Sequence, residues 1–274
     1  SGLLVGAILR SPHPHARIRS IDTTAAEALP GVQAVIHAGN VEQRSYGYNH
    51  DNIPLKAGTV RFIGDEVAAV AAIDEATARR ALELIRVEYE PLPAVFDPFE
   101  ALDASSPVIH EELENVEGNV AMRWDFDHGD VDAAAAAAAV IVEGMYSAPQ
   151  AAPAPIETHV VIAAVDADGH LTVWTPVHMV FMYRKELADC LGLDWREITV
   201  IQPPVGGSFG GKIDIDPHDF ITVLLARAAR RPVKLVIGRE EEFVGTRTRQ
   251  PIHFRLRTGA DAEGNLLFRD AEFV

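Results

Sequence analysis

The pattern of apolar and polar positions in the first hundred residues predicts a mixed α/β unit. Residues 3–9 and 32–36 form apolar runs that are typical of buried strands. Asp74 is a typical helix cap, and apolar residues recur after it with helical spacing. Residues 86–90 then alternate like a half-exposed strand. The order strand, loop, strand, helix, strand therefore fills residues 1–104, which we predict to be the first domain.

The remaining chain predicts a second unit that also mixes helices and strands. Residues 105–120 have weak periodicity and are predicted to be a linker, so that 121–274 form the second domain. A β-hairpin is predicted over 156–174. The alanine-rich stretch 130–142 predicts a helix capped by Asp130 or Asp132, and 217–230 predict a longer helix. The fold class is α+β or α/β.

Composition and charge narrow the classes of function. The chain has 274 residues, 48% of them apolar, and a net charge of -16. Such a negative surface would repel nucleic acid, so no nucleic-acid partner is expected. The longest apolar run, 133–142, is too short to span a bilayer, and no membrane association or cleavable leader is expected. The single cysteine, Cys190, is predicted to be buried and inert, and it indicates a reducing, cytoplasmic location.

The most unusual stretch is the glycine-rich loop Gly206-Gly207-Ser208-Phe209-Gly210-Gly211-Lys212. It lies between a strand-like run, 197–201, and the predicted helix 217–230, so it is a strand-to-helix turn. Four glycines in seven residues indicate positive φ angles or amides that a ligand approaches closely. We expect the Phe209 ring to be buried among these bare amides, in a loop that wraps an anionic or oxo-bearing group.

Two other interpretations of this loop are open from the residues alone. Gly206 to Lys212 fits the spacing of a nucleotide-binding P-loop. However, Ile213 follows where that motif needs a hydroxyl, and the next apolar run, 233–237, ends in Gly238-Arg239 rather than in an Asp. The second interpretation is a glycine-rich turn that serves only close packing.

Three groups of titratable residues suggest chemistry but also have structural explanations. Glu157 and His159 lie two apart on one predicted strand face, where they could act as an acid–base pair or simply pair in the fold. His13 and His15 flank prolines in what we predict to be a structural turn. The third group has the spacing of a helix start, with Asp216 as cap and Pro217 in the first position, and it comprises Asp214, Asp216, His218 and Asp219.

The glycine-rich loop resembles the molybdenum-cofactor loop of the xanthine oxidase family of molybdenum hydroxylases. Further segments resemble that family in the same order along nearly the whole chain. They are residues 9–18 (LRSPHPHARI), 64–71 (GDEVAAVA), 155–159 (PIETH) and 238–241 (GREE), followed by Phe243, Arg247 and Arg249. The resemblance implies a small α/β hammerhead domain followed by the first part of a molybdopterin-binding domain, and it is greatest to the branch of 4-hydroxybenzoyl-CoA reductase and carbon monoxide dehydrogenase large subunits.

The resemblance also implies roles for single residues. The cofactor would be bound by Gly206, Gly207, Ser208, Phe209, Gly210 and Gly211. Phe209 would position the metal's oxo group through its backbone and screen the site with its ring. His178 stands where the family usually has a Gln that contacts the oxo ligand, so an imidazole would take that catalytic role. No residue of this chain is expected to bind the metal directly.

The implied reaction uses a molybdenum–molybdopterin cofactor, of which the cytosine dinucleotide form is one variant. It is hydroxylation with water as oxygen source, or reductive dehydroxylation, of an aromatic, heteroaromatic, acyl-CoA or aldehyde substrate. Ile213 replaces a Glu of purine-oxidising members, which disfavours xanthine. The expected partners are an iron–sulfur subunit, a FAD subunit and the remaining part of the molybdopterin subunit, which carries the general-base Glu. A strand-like end at 271–274 favours a fragment, and a non-catalytic module of the same fold is the alternative.

Overall fold

The computed structural model describes residues 2–47, 49–113 and 116–274. Residues 114 and 115 of the predicted linker lie outside the described residues. Contacts group the chain into two compact units, each built from two segments. The first unit joins Ser1–Ala94 with Pro153–Arg247, and the second joins Val95–Ala152 with Thr248–Val274. The predicted division at residues 104 and 121 stays a prediction.

The first unit is built on a seven-stranded mixed sheet in the order β10-β9-β8-β11-β1-β5-β3. Its strands are β1 (Leu4–Arg10), β3 (Val32–His37), β5 (Glu66–Ala72), β8 (Val160–Val165), β9 (Leu171–Trp174), β10 (Ile198–Ile201) and β11 (Val233–Val236). A smaller sheet has the order β4-β2-β6, with β2 (Ala16–Asp22), β4 (Thr59–Val60) and β6 (Arg86–Pro91). Parallel pairing of β1 with β11 joins the two segments of the unit in one sheet.

Strand β5 is buried on both faces of the sheet. All seven of its residues are buried, and after Glu66 the strand is the uninterrupted apolar run 67–72 that is typical of a strand covered on both faces. Alternate side chains point to opposite faces, so Ala69 and Ala71 pack in the core beneath α6 (Pro217–Ala229). Ala68, Val70 and Ala72 pack in the core on the other face, beneath α2 (Glu75–Leu84).

Two helices of the first unit begin at the aspartates predicted as their caps. The side chain of Asp74 accepts a hydrogen bond from the Thr77 amide at the start of α2, which confirms the predicted cap. At the start of α6 the Asp219 side chain accepts a hydrogen bond from the amide of the cap residue Asp216 over 2.9 Å, and Pro217 takes the first helical position. The other helices of this unit are α1 (Thr24–Glu27), α5 (Val180–Leu191) and α7 (Arg239–Val244).

The second unit contains a three-stranded antiparallel sheet in the order β13-β12-β7. Its elements are α3 (Pro98–Ala101), α4 (Val131–Ala137), β7 (Val140–Ala148), β12 (Ile252–Ala260) and β13 (Leu266–Phe273). The predicted helix over 130–142 is therefore too long. The chain leaves the helical conformation at Ala138, and the β-branched run that follows pairs with β12 instead.

The longest helix in the described part of the chain, α6, has 13 residues, and no helix there combines the length and apolarity needed to cross a membrane.

Candidate functional site

The glycine-rich loop leaves the end of β10 and leads into α6, as the sequence predicts. Three residues of the loop have φ angles in the left-handed region: Gly207 at 101°, Phe209 at 50° and Gly210 at 93°. Such a conformation is uncommon for a phenylalanine. Successive residues in unusual conformations turn backbone N–H groups toward one point and can form a concave anion-binding site.

The amides of the loop divide into bonded and unpaired groups. The Gly206 amide donates to Glu157 Oε2 over 2.8 Å, and the Gly211 amide donates to the Ser208 carbonyl over 2.9 Å. Within residues 2–47, 49–113 and 116–274, the amides of residues 207–210 have no hydrogen-bond acceptor. Four consecutive unpaired donors in one turn are the arrangement that an anionic or oxo-bearing group would complete.

The four glycines of the loop are required for different reasons. A Cβ on Gly206 would lie 2.7 Å from Glu157 Cβ, so a larger residue there would force Glu157 to move. A Cβ on Gly211 would lie 3.2 Å from the Pro153 ring, which is a tight contact. Gly207 and Gly210 are required by their positive φ angles. A Cβ on Gly210 would meet no atom within 4 Å, so the loop presents an open face there.

Ser208 closes the turn from inside. Its side chain is buried, and its Oγ accepts a hydrogen bond from the Lys212 amide over 3.0 Å. The hydroxyl is therefore used within the loop, and the part of Ser208 that is free for a ligand is its amide.

Lys212 holds one side of the loop by an internal ion pair. Its Nζ lies 2.6 Å from Glu157 Oε2 and donates to the Glu157 carbonyl over 2.9 Å. Burial alone would raise the pKa of Glu157, but hydrogen bonds from Lys212 and Gly206 outweigh it and lower the pKa. Because the Lys212 side chain is only 1% exposed and already paired, it does not face a nucleotide phosphate. This geometry removes the basis of the P-loop interpretation.

His159 holds the other side of the loop. Its Nε2 lies 3.0 Å from the Gly211 carbonyl oxygen, and its Nδ1 lies 2.9 Å from Glu242 Oε1 on α7. The other carboxylate oxygen of Glu242 accepts the His159 amide over 3.0 Å. Burial would lower the pKa of His159, but the bond to Glu242 and nearby carboxylates outweigh it and raise the pKa.

The prediction that Glu157 and His159 share a strand face is wrong. Strand β8 begins only at Val160, and the two side chains contact different partners, Lys212 and Glu242. They do not act as an acid–base pair with each other. Sequence reasoning identified both residues but missed these partners, which lie 55 and 83 residues away along the chain.

A buried group of titratable residues lies behind the loop at the start of α6. Burial raises the pKa of Asp216 to about 7 and that of Asp219 to about 6. Burial, together with the neighbouring positive His159, lowers the pKa of His218, which is therefore neutral. Neither ring nitrogen of His218 has a hydrogen-bond partner in the described part of the chain.

His159, Asp216 and His218 offer metal-ligand atoms that all lie within 4.8 Å of one another. However, both ring nitrogens of His159 already contact oxygen acceptors. This ring has no free lone pair for a metal, so only two ligands would remain, fewer than a zinc site uses. Capping of α6, as predicted from the sequence, accounts for Asp216 and Asp219.

The segments that carry the family resemblance meet behind the loop. Arg10 Nη1 lies 2.7 Å from Glu66 and its Nε lies 3.1 Å from Glu241 on α7. A Cβ on Gly64 would lie 2.6 Å from the Val244 carbonyl, so this glycine lets α7 pack closely. Helix α7 in turn supplies Glu242 to His159. Residues far apart in the sequence thus form one support for the loop.

Three side chains singled out from the sequence are exposed in or beside the loop: Phe209, His178 and Ile213. The prediction that the Phe209 ring is buried is wrong, because the ring is 80% exposed. His178 is exposed as well, and its amide donates to the Lys212 carbonyl over 2.9 Å, which fixes it beside the loop. Ile213 presents an exposed apolar side chain directly after Lys212.

Comparisons with known proteins match the chain to two family models and to solved structures. A family model described as a molybdopterin cofactor-binding domain matches residues 109–274, and one described as the a/b hammerhead domain of aldehyde oxidase and xanthine dehydrogenase matches residues 1–93. The crystal structure of quinoline 2-oxidoreductase from Pseudomonas putida 86 superposes with a TM-score of 0.88 and 31% identity, covering 100% of this chain and 36% of that chain. These matches confirm the predicted fold class.

Two curated relatives are similar over almost the whole chain. A probable xanthine dehydrogenase subunit of Bacillus subtilis (strain 168) is 36% identical, covering 100% of this chain and 36% of the relative. The carbon monoxide dehydrogenase large chain of Afipia carboxidovorans (strain ATCC 49405 / DSM 1227 / KCTC 32145 / OM5) is 33% identical, covering 97% of this chain and 35% of the relative. The chain therefore spans about a third of the length of these relatives.

Proposed function

Because this chain belongs to the xanthine oxidase family of molybdenum hydroxylases, we propose that its loop 206–212 binds the molybdenum–pterin cofactor of a larger oxidoreductase. The observation that carries the proposal is the row of unpaired amides at residues 207–210, opened by the left-handed Gly207, Phe209 and Gly210.

The residues present fit such a group. The unpaired amides supply neutral hydrogen-bond donors for oxo and phosphate oxygens, and the open face at Gly210 gives the ligand room to approach the backbone. The residues that flank these amides are held in place: Glu157 contacts Gly206 and Lys212, and His159, paired with Glu242, contacts the Gly211 carbonyl. A donor set fixed before the ligand arrives costs little reorganisation when it binds.

When bound, the cofactor supplies two-electron chemistry that takes oxygen from water. The chain's own contribution is orientation and exclusion of water. The Phe209 ring is 80% exposed, and we expect it to cover one side of the bound group. His178 is placed beside the loop by its amide bond to Lys212 and by Gln202, whose Nε2 donates to the Val177 carbonyl over 2.7 Å. Its imidazole can donate one hydrogen bond to the bound group, in the place of the family's glutamine amide.

For the substrate, we propose a heteroaromatic compound or an aldehyde that is hydroxylated. A solved relative is a quinoline 2-oxidoreductase, which supports the heteroaromatic class. The exposed Ile213 after the loop offers apolar contact and no carboxylate for a purine, so xanthine is the disfavoured member of this class. Aromatic compounds and acyl-CoA esters are further candidate substrates. Reductive dehydroxylation is the further candidate reaction.

The partners of the proposal are an iron–sulfur subunit, a FAD subunit and the remaining part of the molybdopterin subunit. Relatives are named as a subunit and a large chain, which supports assembly with other chains or segments. The single cysteine of this chain cannot ligate an iron–sulfur cluster by thiolates alone, so in this proposal those centres lie outside residues 1–274. The cytosine dinucleotide form of the cofactor and the cytoplasmic location stay predictions.

The decisive test compares two glycines in the intact assembly that contains this chain. Gly210 and Gly169 have similar φ angles, 93° and 88°, and a Cβ added to either would meet no atom within 4 Å. Gly210→Leu and Gly169→Leu therefore impose similar backbone strain. We expect G210L to fold but lose most of its molybdenum and pterin, and G169L to keep both. An active wild-type assembly without molybdenum and pterin, or a G210L assembly that retains them, would refute the proposal.

The same experiment separates the enzyme from a non-catalytic module. A module that keeps the fold without catalysis would contain no molybdenum or pterin in the wild type, and G210L and G169L would then be indistinguishable from each other.

A further inference from the structure

The surroundings of the His159 ring fix its protonation. Glu242 Oε1 faces Nδ1 and the Gly211 carbonyl oxygen faces Nε2, and both are acceptors without a proton of their own. A neutral imidazole has one N–H and can satisfy only one of them. Both hydrogen bonds form only when both ring nitrogens carry protons, so the observed contacts require an imidazolium.

The charged groups around the ring favour that cation. Glu242 contacts it directly on α7, and Asp216 Oδ2 lies 3.9 Å from Nε2 at the start of α6. Asp219 adds a further carboxylate, and the neutral His218 ring packs edge-on against His159 with ring centroids 4.9 Å apart. The nearby cations of this cluster are each paired with a carboxylate, in the pairs Lys212–Glu157, Arg247–Asp214 and Arg10–Glu66.

The contact with Gly211 links this charge to the open side of the loop. Gly211 is the residue after the left-handed Gly210, and its own amide closes the turn onto the Ser208 carbonyl. A donor that fixes the Gly211 carbonyl therefore restrains the peptide groups immediately before it. Those peptide groups include the unpaired amides of Phe209 and Gly210.

We infer that His159 is a positioning residue which, as an imidazolium clamped by Glu242, holds the Gly211 carbonyl and thereby sets the unpaired amides of the loop. Loss of the proton removes one of the two bonds and loosens the loop. The inference rests on the proposed function only for what the loop binds, since the clamp itself is a property of this chain.

Because His159 loses its second proton as pH rises, we expect the loop 206–212 to loosen at higher pH. The folded pKa of His159 is raised above its ordinary value, so the clamp is complete at lower pH and is lost as pH rises through that folded pKa. Loosening is measurable at the three bonded amides of the loop, which belong to Gly206, Gly211 and Lys212.

The experiment is hydrogen–deuterium exchange of the intact assembly across pH 6 to 9, corrected for intrinsic exchange rates. Loop peptides spanning 206–212 should exchange faster in one step as pH rises. His159→Gln should abolish the step and leave the loop exchanging rapidly at every pH. Glu242→Gln should move the step to lower pH, because the imidazolium loses its carboxylate partner. His170→Gln is the matched control, since His170 contacts Thr199 at the far end of β9, and it should leave the step unchanged.

Peptides of α6 serve as a fold monitor, because a variant that unfolds would expose them too. An unchanged step in H159Q, wild-type protection of the loop in H159Q at every pH, or a wild type without a step would each overturn the inference. All of these outcomes are measured as exchange rates of backbone amides, so they do not depend on enzyme turnover. An assembly that lacks molybdenum and pterin but retains the step would refute the proposed function and leave the clamp standing.

Discussion

His159 donates from Nε2 to the carbonyl oxygen of Gly211 across 3.0 Å, although the two residues are 52 positions apart in the chain. On the opposite side of the loop, Lys212 reaches back to Glu157 over 2.6 Å. The loop is thus held from behind by two ion pairs while the amides at its front remain unpaired. A buried cation without these partners would be costly, so each pair stabilises the loop conformation as well as the fold.

We expect Lys212→Met to destabilise the protein by roughly 1–3 kcal/mol, since it removes two hydrogen bonds and leaves the Glu157 carboxylate without its cation. The cost is moderated because about a third of the Glu157 side chain is exposed, 34%, and water can solvate it. Urea unfolding gives the measurement. Lys185→Met is the control, because its pair with Asp189 is exposed to solvent and should contribute little to stability.

Equal stability of K212M and K185M would show that the Lys212 pair does not hold the loop. The P-loop interpretation makes the opposite prediction, in which K212M leaves stability unchanged and abolishes Mg²⁺-dependent nucleotide binding.

Asp216→Asn should flatten the dependence of stability on pH. Burial raises the folded pKa of Asp216 to about 7, so the folded state binds this proton more tightly than the unfolded state does. Stability from this proton is present below the unfolded pKa, about 3.9, and is lost as pH rises through about 7. Asn cannot ionise, and it leaves in place the Asp216 amide that donates to Asp219 at the start of α6. D216N should therefore gain on the wild type at pH 8, and this advantage should be much smaller at pH 5.

Free energies of unfolding at several pH values test this prediction. Asp214→Asn is the control, because Asp214 also pairs with Arg247 but is only half-buried. D214N shows what the loss of a carboxylate beside Arg247 does by itself. A wild-type slope in D216N would mean that Asp216 is not the group that titrates.

Much of the local structure could be predicted from the sequence because it depends on neighbours in the chain. The hairpin of β8 and β9 and the capping of α6 by Asp216 are set by residues within a few positions of each other. The sheet of β7, β12 and β13 could not be predicted in the same way. Its pairing joins β7 to a strand more than a hundred residues later, and the alanine run before β7 extends the helical pattern past its true end.

In the candidate site too, local features could be predicted from the sequence and contacts with distant segments could not. The glycines of the loop predict positive φ angles and close packing, and the structure contains both. The partners that hold the loop, Glu242 for His159 and Glu157 for Lys212, come from distant segments and carry no local signal. The exposure of Phe209 also depends on which tertiary neighbours surround the ring, and composition cannot supply these.

Cys190 should react slowly with alkylating reagents in the folded protein. Burial raises its pKa to about 11, and its Sγ lies 3.0 Å from the Arg44 carbonyl. Because the thiolate is the reactive form, alkylation at pH 8 should be on the order of 100-fold slower than in the unfolded chain. Mass spectrometry of the peptide that contains Cys190, after iodoacetamide treatment with and without urea, measures the ratio. Similar rates in both conditions would show that the thiol is accessible.

Phe209→Ala should leave folding stability almost unchanged and impair the site. The ring is 80% exposed and has little packing to lose, so the change in unfolding free energy should be about 0.5 kcal/mol or less. Phe181→Ala is a matched control, because this ring on α5 is 79% exposed. We expect only F209A to release molybdenum and pterin faster on dialysis, since only Phe209 lies on the loop whose amides would hold them. A loss of about 3–5 kcal/mol in F209A, as for a buried phenylalanine, would show instead that the ring is covered in the assembly and serves packing.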